Sequence, residues 1–248
     1  MRTIKCTVQY DGTNYHGWQI QENALTVQEV LEAALAEITG ARPKIVGCGR
    51  TDTGVHAKAY VFHFKSDTAI PAEKLPYALN SHLPRDIVCF AAEDVPPEFH
   101  AKKSAVKKRY TYHIQNSRFP DVFLQNRAWF YPHPLDLEKM KQAAPAFLGT
   151  HDFIGFAAAG FTVKTTVRTI YALDVQKQGD LIQMNITGNG FLYNMVRIIA
   201  GTLVFVGAGR IDPAAMPDII ASGDRTRAGI TAPACGLYLS EVCYEKET

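Results

Sequence analysis

Apolar and polar residues alternate strictly over Thr3–Tyr10, at the start of the chain. This period of two predicts a half-buried β-strand. The pattern changes to a helical period after Thr26, which forms a capping box with Glu29, and Gly40 follows the last apolar residue of the stripe. A stripe with a polar cap at its start and glycine at its end predicts an amphipathic helix between these residues.

Further apolar patterns complete a β-α-β-β-α-β order within the first 103 residues. The second helix is the weaker of the two, because Pro76 breaks or bends it. This order is that of the ferredoxin-like arrangement, in which helices cover one face of an antiparallel sheet. The additional elements are strands over Lys44–Cys48, Ala57–Phe64 and Ile87–Ala91 and the weaker helix over Pro71–Leu83.

The second half of the chain repeats the order of elements without repeating the residues. A helix that begins at Asp136 is predicted to end at Gly149, and a hairpin is predicted to turn at Gln178–Asp180. One helix, around Pro213–Ala221, is additional to the repeat. The other elements are strands over Val106–Ile114, Thr166–Lys177, Leu181–Thr187 and Gly236–Tyr244 and a helix over Phe191–Val206.

The predicted fold class is therefore α+β, with two ferredoxin-like halves, antiparallel sheets and an active-site cleft between the halves. We assign residues 1–103 to an N-terminal α+β domain that carries the catalytic loop described below. Residues 104–248 are assigned to a C-terminal α+β domain that completes the cleft. A (β/α)8 barrel is disfavoured, because its strands and helices alternate whereas these strands come in adjacent pairs.

Composition indicates the class of protein but not its partner. The 248 residues are 47% hydrophobic and 20% charged, as in ordinary globular proteins, and a net charge of +2 does not by itself indicate a nucleic acid. The five cysteines form no Cys-x-x-Cys pair and the chain starts without a signal-peptide pattern, so we expect a soluble, cytoplasmic protein. The apolar run Phe191–Ala208 contains Asn194 and Arg197, which predicts a buried helix rather than a membrane span.

Basic residues are dense where the two halves join. A cluster of this kind is usually a solvated surface. Its position beside the predicted cleft and the tyrosines that follow it, Tyr110 and Tyr112, favour a track for a phosphate backbone with an aromatic ring for base stacking. The cluster consists of Lys102, Lys103, Lys107, Lys108 and Arg109.

The segment Gly47–Ala57 is the most informative for chemistry, because three glycines lie between two predicted strands. Gly49 and Gly54 have the spacing of a phosphate-binding loop, but Val55-His56 replaces the required Lys-Ser/Thr and a strand follows instead of a helix. A nucleotide-binding loop is therefore disfavoured. The segment contains one carboxylate, Asp52, and an aspartate in a tight turn most often bonds its own backbone.

If the protein is an enzyme, its chemistry rests on Asp52 without a metal, since the chain has no carboxylate pair and no metal-ligand motif at the known spacings. Covalent catalysis or proton transfer by a carboxylate is then expected. The carboxylate must stay ionised in a closed site, and Arg197 is a candidate partner. The alternative for Arg197 is an arginine whose charged end reaches the surface.

The segment Gly49-Arg50-Thr51-Asp52-Thr53-Gly54-Val55-His56-Ala57 resembles the active-site motif of the tRNA pseudouridine synthase A family. The resemblance extends over nearly the whole chain, with the motifs in the same order. Lys102-Lys103 departs from the Arg-Phe pair expected in the family. The other matching blocks are Tyr10-Asp11-Gly12-Thr13, Gly17–Gln21, Val95–Ala101, Lys108–Tyr112, Gly149–Phe153, Gly188–Arg197 and Ala232–Leu237.

The resemblance implies an isomerase that converts uridine to pseudouridine in the anticodon stem-loop of tRNA, without cofactor or metal. It implies that Asp52 is the nucleophile, that Tyr110 stacks on the flipped uracil and that Arg197 pairs with Asp52. Arg50 would hold the place of the flipped nucleotide. Whether Asp52 attacks the base, attacks C1′ or removes the C2′ proton stays open.

The resemblance also implies a homodimer with tRNA as its partner and no membrane association. The tRNA backbone would follow Lys107, Lys108, Arg109 and Arg168. Two other classes of protein stay open on the residues alone. One is an RNA-binding module in which the loop around Asp52 is structural, and the other is a small-molecule lyase or glycosidase that uses a lone aspartate.

Overall fold

The structure is a computed structural model and describes residues 1–160 and 163–244. Within these residues, ten β-strands and five α-helices form an α+β fold, which confirms the predicted class. The strands are β1 Arg2–Tyr10, β2 Val46–Gly47, β3 His56–Ser66, β4 Ile87–Val95, β5 Lys107–Gln115, β6 Trp129–Phe130, β7 Gly149–Asp152, β8 Val167–Gln178, β9 Leu181–Gly188 and β10 Leu237–Cys243. The helices are α1 Val27–Thr39, α2 Leu75–Asn80, α3 Leu137–Ala143, α4 Met195–Gly207 and α5 Met216–Ser222.

The chain divides into two units, of which the first contains residues 1–106 and, from the end of the described chain, residues 238–244. In this unit β1 pairs antiparallel with both β3 and β4, and β2 pairs antiparallel with β3. The resulting order β4-β1-β3-β2 is that of a ferredoxin-like sheet. A short parallel pairing with β10 extends β3 at its N-terminal end. The functions assigned to residues 1–103 and 104–248 stay predictions.

The side chains of β1 and the caps of α1 follow the sequence pattern. Ile4, Cys6 and Val8 are fully buried, as the alternation predicts. The Thr26 side chain accepts the N–H of the residue three positions later, and Gly40 ends α1 with a φ of 74°. Both capping predictions are confirmed, because each residue satisfies or closes the helix end that its chemistry favours.

The second unit, residues 107–237, has an antiparallel sheet in the order β5-β9-β8-β7. The β8–β9 hairpin turns at Gly179, as predicted, with a φ of 57°. Two strands of this unit were not predicted. β6, which pairs parallel with β5, has two residues, and β7 has four. Strands this short contain too few residues to show a period of two.

Two helices of the second unit differ from their predicted bounds. α4 begins at Met195 rather than Phe191, because Asn194 adopts a left-handed conformation with a φ of 60°. α3 ends at Ala143, since Pro145 lacks an N–H to continue the helix, and a 3₁₀ turn follows. Arg197 therefore lies in the first turn of α4 rather than in its interior. In residues 1–160 and 163–244, no helix has both the length and the apolar character needed to cross a bilayer.

In the first unit, two histidines accept hydrogen bonds from the backbone just before β5. His63 Nδ1 accepts the N–H of Ala101 at 3.2 Å, and His100 Nδ1 accepts those of Lys102 and Lys103 at 3.2 and 3.3 Å. An accepting ring nitrogen carries no proton, so each bond requires an unprotonated Nδ1. The pKa of His63 is lowered below its ordinary value of 6.5, mainly by burial and also by the nearby His100.

We expect acid to destabilise the protein through His63. The pKa of His63 is lower in the folded than in the unfolded chain. Its contribution to the free energy of unfolding is therefore complete above the ordinary pKa and is lost as the pH falls below that value. The free energy of unfolding in urea, measured from about pH 7.5 to about pH 5, should fall more steeply for the native protein than for His63→Asn. His82→Asn, at an exposed histidine, is the control and should keep the native slope. A native slope in His63→Asn would contradict the prediction.

Candidate active site

Asp52 lies in the segment 48–55 between β2 and β3, which we call the Asp52 loop. The Tyr60 hydroxyl donates a hydrogen bond to the Gly49 carbonyl at the start of the loop. After Asp52 the chain turns back, because the Asp52 carbonyl accepts the N–H of Val55 at 3.1 Å. Asp52 itself is half-buried. The loop is thus attached to β3 and turned tightly around its one carboxylate.

Residues 10–18, which we call the N-terminal segment, hold the same loop from another side. The hydroxyls of Tyr10 and Thr51 share a hydrogen bond of 2.8 Å, and the backbone N–H of Trp18 donates to the Thr51 carbonyl at 3.1 Å. A Cβ at Gly17 would lie 2.4 Å from the Thr51 carbonyl oxygen, and the φ of Gly17 is 84°. Only glycine fits this close approach. The residue before Asp52 is therefore held through both its side chain and its backbone.

His56 joins the first residues of β3 to the N-terminal segment. Its buried Nδ1 accepts the N–H of Gly12 at 3.0 Å, and Asp11 Oδ1 lies 3.1 Å from the same nitrogen. The His56 ring stacks on Tyr238 with centroids 4.7 Å apart. A Cβ at Gly12 would lie 2.0 Å from the Val55 carbonyl oxygen, so the backbones touch here as well. The end of the Asp52 loop is thus as closely packed as its centre.

In the second unit, β5 contains three residues of the predicted basic cluster and distributes them over the two faces of its sheet. Successive side chains of a strand point to opposite faces, so Lys107 and Arg109 share one face and Lys108 and Tyr110 share the other. Lys107 Nζ lies 5.7 Å from the centre of the Tyr171 ring, within the range of a cation–π contact. Four consecutive residues of the sequence therefore present two different surfaces.

Tyr110 is a half-buried aromatic at the edge of the core of the second unit. It lies opposite Ile186 of β9. Its ring meets that of Phe191 nearly perpendicularly, with the centroids 5.1 Å apart. Such edge-to-face packing fixes the plane of the tyrosine ring. No role for Phe191 was predicted, because two residues so far apart in the chain leave no local pattern.

Arg197 is held at the start of α4 by two hydrogen bonds. Its Nε donates to the Ala232 carbonyl at 2.7 Å, and its Nη1 donates to the side-chain oxygen of Asn194 at 2.8 Å. The Arg197 carbonyl in turn accepts the N–H of Ala232 at 3.1 Å. Burial raises the pKa of the Cys235 thiol, and the nearby Arg197 guanidinium opposes this shift. Arg197 is half-buried and fixed at its head, unlike an arginine extended into solvent.

Arg168 lies on β8, opposite His151 of β7. Its Nη1 donates to the carbonyls of Thr165 and Val167 at 2.9 and 2.6 Å. Partial burial lowers the pKa of the Arg168 guanidinium. Its Nε would lie 3.8 Å from a Cβ at Gly190, so the side chain runs along the turn that follows β9.

The predicted site residues are distributed over both units. The first contains Asp52 and Arg50, of which Arg50 is exposed. The predicted cleft, and the predicted pairing of Asp52 with Arg197, stay predictions. The second unit contains the remaining predicted residues, Tyr110, Arg197, Lys107, Lys108, Arg109 and Arg168.

Comparison with known proteins gives one consistent family. A family model described as tRNA pseudouridine synthase matches residues 7–102 and 143–245. The tRNA pseudouridine synthase A of Thermoanaerobacter sp. (strain X514) is 54% identical over 244 residues, covering 98% of this chain and 100% of the relative. That of Bacillus subtilis (strain 168) is 48% identical over 244 residues, covering 98% and 99%. A solved chain from the crystal structure of a Cbf5-Nop10-Gar1 complex aligns with a TM-score of 0.36 at 12% identity, over 81% of this chain and 54% of that one.

The family model covers most of the chain, and the chain therefore belongs to the tRNA pseudouridine synthase family. This membership confirms the family identified from the motifs around Asp52. It also confirms that the protein is an enzyme of the isomerase class. An RNA-binding module without catalysis and a small-molecule lyase do not agree with it.

Proposed function

We propose that the protein isomerises uridine to pseudouridine in the anticodon stem-loop of tRNA, with Asp52 as the nucleophile. The observation that carries the proposal is the attachment of the Asp52 loop. Hydrogen bonds hold the peptide groups on both sides of the half-buried Asp52 carboxylate and the Thr51 side chain before it. They give the carboxylate the fixed position that a reacting group needs. The names of the relatives, tRNA pseudouridine synthase A, support tRNA as the substrate.

The proposed reaction breaks the N1–C1′ bond of uridine, turns the uracil and joins its C5 to C1′ of the ribose. C5 then loses its proton, and N1 gains one. The atoms of substrate and product are the same, so the reaction consumes no cofactor. Asp52 acts as an anion in each of the three routes, whether it attacks the base, attacks C1′ or removes the C2′ proton. In a base-paired stem the uridine must first leave the stack, which costs a few kcal/mol.

The other predicted residues receive roles in holding the extruded nucleotide. Tyr110 stacks on the uracil, and its perpendicular contact with Phe191 supports this role by orienting the ring. The exposed Arg50 takes the place that the nucleotide leaves. Arg197 pairs with Asp52 and keeps it ionised, because a guanidinium stabilises the carboxylate anion.

We propose that the tRNA backbone binds to the basic residues of the second unit. Lys107, Lys108 and Arg109 provide positive charge at the start of β5, and Arg168 provides it on β8. Phosphates attract such residues without regard to base sequence. The uracil is then recognised at Asp52 and Tyr110, while the backbone contacts set the position of the stem-loop.

We also propose that the enzyme is a cytoplasmic homodimer. An exposed apolar surface of the second unit supports the dimer, since Phe119, Val122 and Phe123 are 70%, 75% and 83% exposed. These three residues lie in the loop 119–123. The side chain of Gln115 holds this loop, because it donates to the Phe119 carbonyl at 3.0 Å and accepts the Asp121 N–H at 3.1 Å. Ordered, exposed apolar surfaces are typical of protein interfaces.

Asp52→Asn should abolish pseudouridine formation while the variant still binds tRNA, because the amide has nearly the same shape but is not an anion. Single-turnover isomerisation of a transcribed tRNA and the Kd of the complex are the measurements. Asp67→Asn, at a carboxylate that is 70% exposed in the same unit, is the control and should keep the native rate. Native product formation by Asp52→Asn would remove Asp52 from the chemistry.

The double variant Lys107→Ala/Lys108→Ala should bind tRNA more weakly and with less dependence on salt. Each lost phosphate contact releases one counterion fewer, so the slope of log K against log salt should fall by about 1 to 2. Lys139→Ala/Lys141→Ala on α3 removes the same charge from two exposed positions and is the control. Equal slopes for the two double variants would place Lys107 and Lys108 outside the RNA interface.

Phe123→Glu should convert the dimer to a monomer, because a carboxylate replaces an apolar ring at the proposed interface. Light scattering after size-exclusion chromatography measures the mass. Tyr77→Glu changes an aromatic side chain that is 76% exposed in the first unit, and it should leave the dimer intact. A Phe123→Glu protein with the mass of a dimer would exclude this loop as the interface.

A further inference from the structure

The hydroxyl of Tyr10 contacts the residue immediately before the proposed nucleophile. It shares a buried hydrogen bond of 2.8 Å with the Thr51 hydroxyl, and both residues are less than a tenth exposed. Tyr10 is the last residue of β1, which is paired on both sides, opposite Ala57 of β3 and Ile87 of β4. The hydroxyl therefore reaches the Asp52 loop from a rigid part of the sheet.

Thr51 is held at two points, and both affect the position of Asp52. The backbone N–H of Trp18 donates to the Thr51 carbonyl, which belongs to the peptide group shared with Asp52. The bond from Tyr10 selects one rotamer of a β-branched side chain, which has few rotamers to choose from. The Asp52 carbonyl is bound in turn by the Val55 N–H. With the peptide groups on both sides fixed, the Cα of Asp52 has little freedom to move.

The ring of Tyr10 has a different task from its hydroxyl. The ring centroid lies 6.5 Å from that of Trp18 and 5.8 Å from that of Tyr60, while Trp18 and Tyr60 stack at 3.8 Å. Tyr10→Phe retains this aromatic packing and removes the hydroxyl bond to Thr51. The two contributions can therefore be separated by one substitution.

We propose that Tyr10 is a positioning residue for the isomerisation, acting through Thr51 on the Asp52 carboxylate. This inference rests on the proposed role of Asp52. Displacing a reacting group by about 1 Å can cost about a hundred-fold in rate. The hydroxyl bond of Tyr10 should therefore affect the chemical step and leave the binding of tRNA nearly unchanged.

The test compares Tyr10→Phe, Thr51→Val and Thr51→Ser by single-turnover rate constant, tRNA Kd and midpoint of thermal unfolding. Tyr10→Phe and Thr51→Val should each lower the rate constant by about ten-fold or more, with the Kd within about two-fold of native. Thr51→Ser keeps a hydroxyl and should retain most of the rate. The double variant Tyr10→Phe/Thr51→Val should be no slower than either single variant, because both remove the same bond.

Tyr244→Phe is the matched control. It makes the same substitution in the same unit and removes a hydroxyl bond of 2.8 Å to the Ala101 carbonyl, outside the Asp52 loop. Its rate constant should be native. A native rate in Tyr10→Phe, or an equal loss in Tyr244→Phe, would overturn the inference. The proposed function fails by a different result, namely that Asp52→Asn forms product at the native rate. If Asp52→Asn is inactive and Tyr10→Phe is fully active, only the positioning role of Tyr10 is refuted.

Discussion

The backbones at Gly17 and Thr51 approach so closely that no side chain fits between them, and the position of Asp52 depends on this contact. A single Cβ at Gly17 would come within 2.4 Å of the Thr51 carbonyl oxygen. Because residues 10–18 continue directly from β1, the Asp52 loop is fixed to the central part of the first sheet. The Asp52 carboxylate lies in a loop, but its backbone is held by contacts with a segment that is continuous with a paired strand.

The fold was predictable where the pattern of the chain is local. The alternation of β1 and the caps of α1 at Thr26 and Gly40 each follow from a few neighbouring residues. The start of α4 was not predictable, since the apolar run from Phe191 continues through Asn194, whose left-handed conformation delays the helix. β6 and β7 exist because of their partners β5 and β8, and a single strand carries no signal of its partner.

The candidate site was predictable to a different extent. The glycines and the single carboxylate of the loop around Asp52 indicated a tight turn and a reaction that uses a carboxylate, but the isomerisation of uridine came from the resemblance to a family. The contacts that hold the loop, such as the bond from Tyr10 to Thr51, join residues far apart in the chain. The sequence also presented Lys107 and Lys108 as one patch, whereas a strand directs adjacent side chains to opposite faces.

We propose that this chain alone converts uridine to pseudouridine in the anticodon arm of tRNA. The most direct measurement incubates the purified protein with a transcribed, unmodified tRNA in buffer without added metal or cofactor and maps pseudouridine by chemical labelling of the RNA. We expect pseudouridine in the anticodon arm. A tRNA that stays unmodified, or that gains pseudouridine only in another arm, would contradict the proposal.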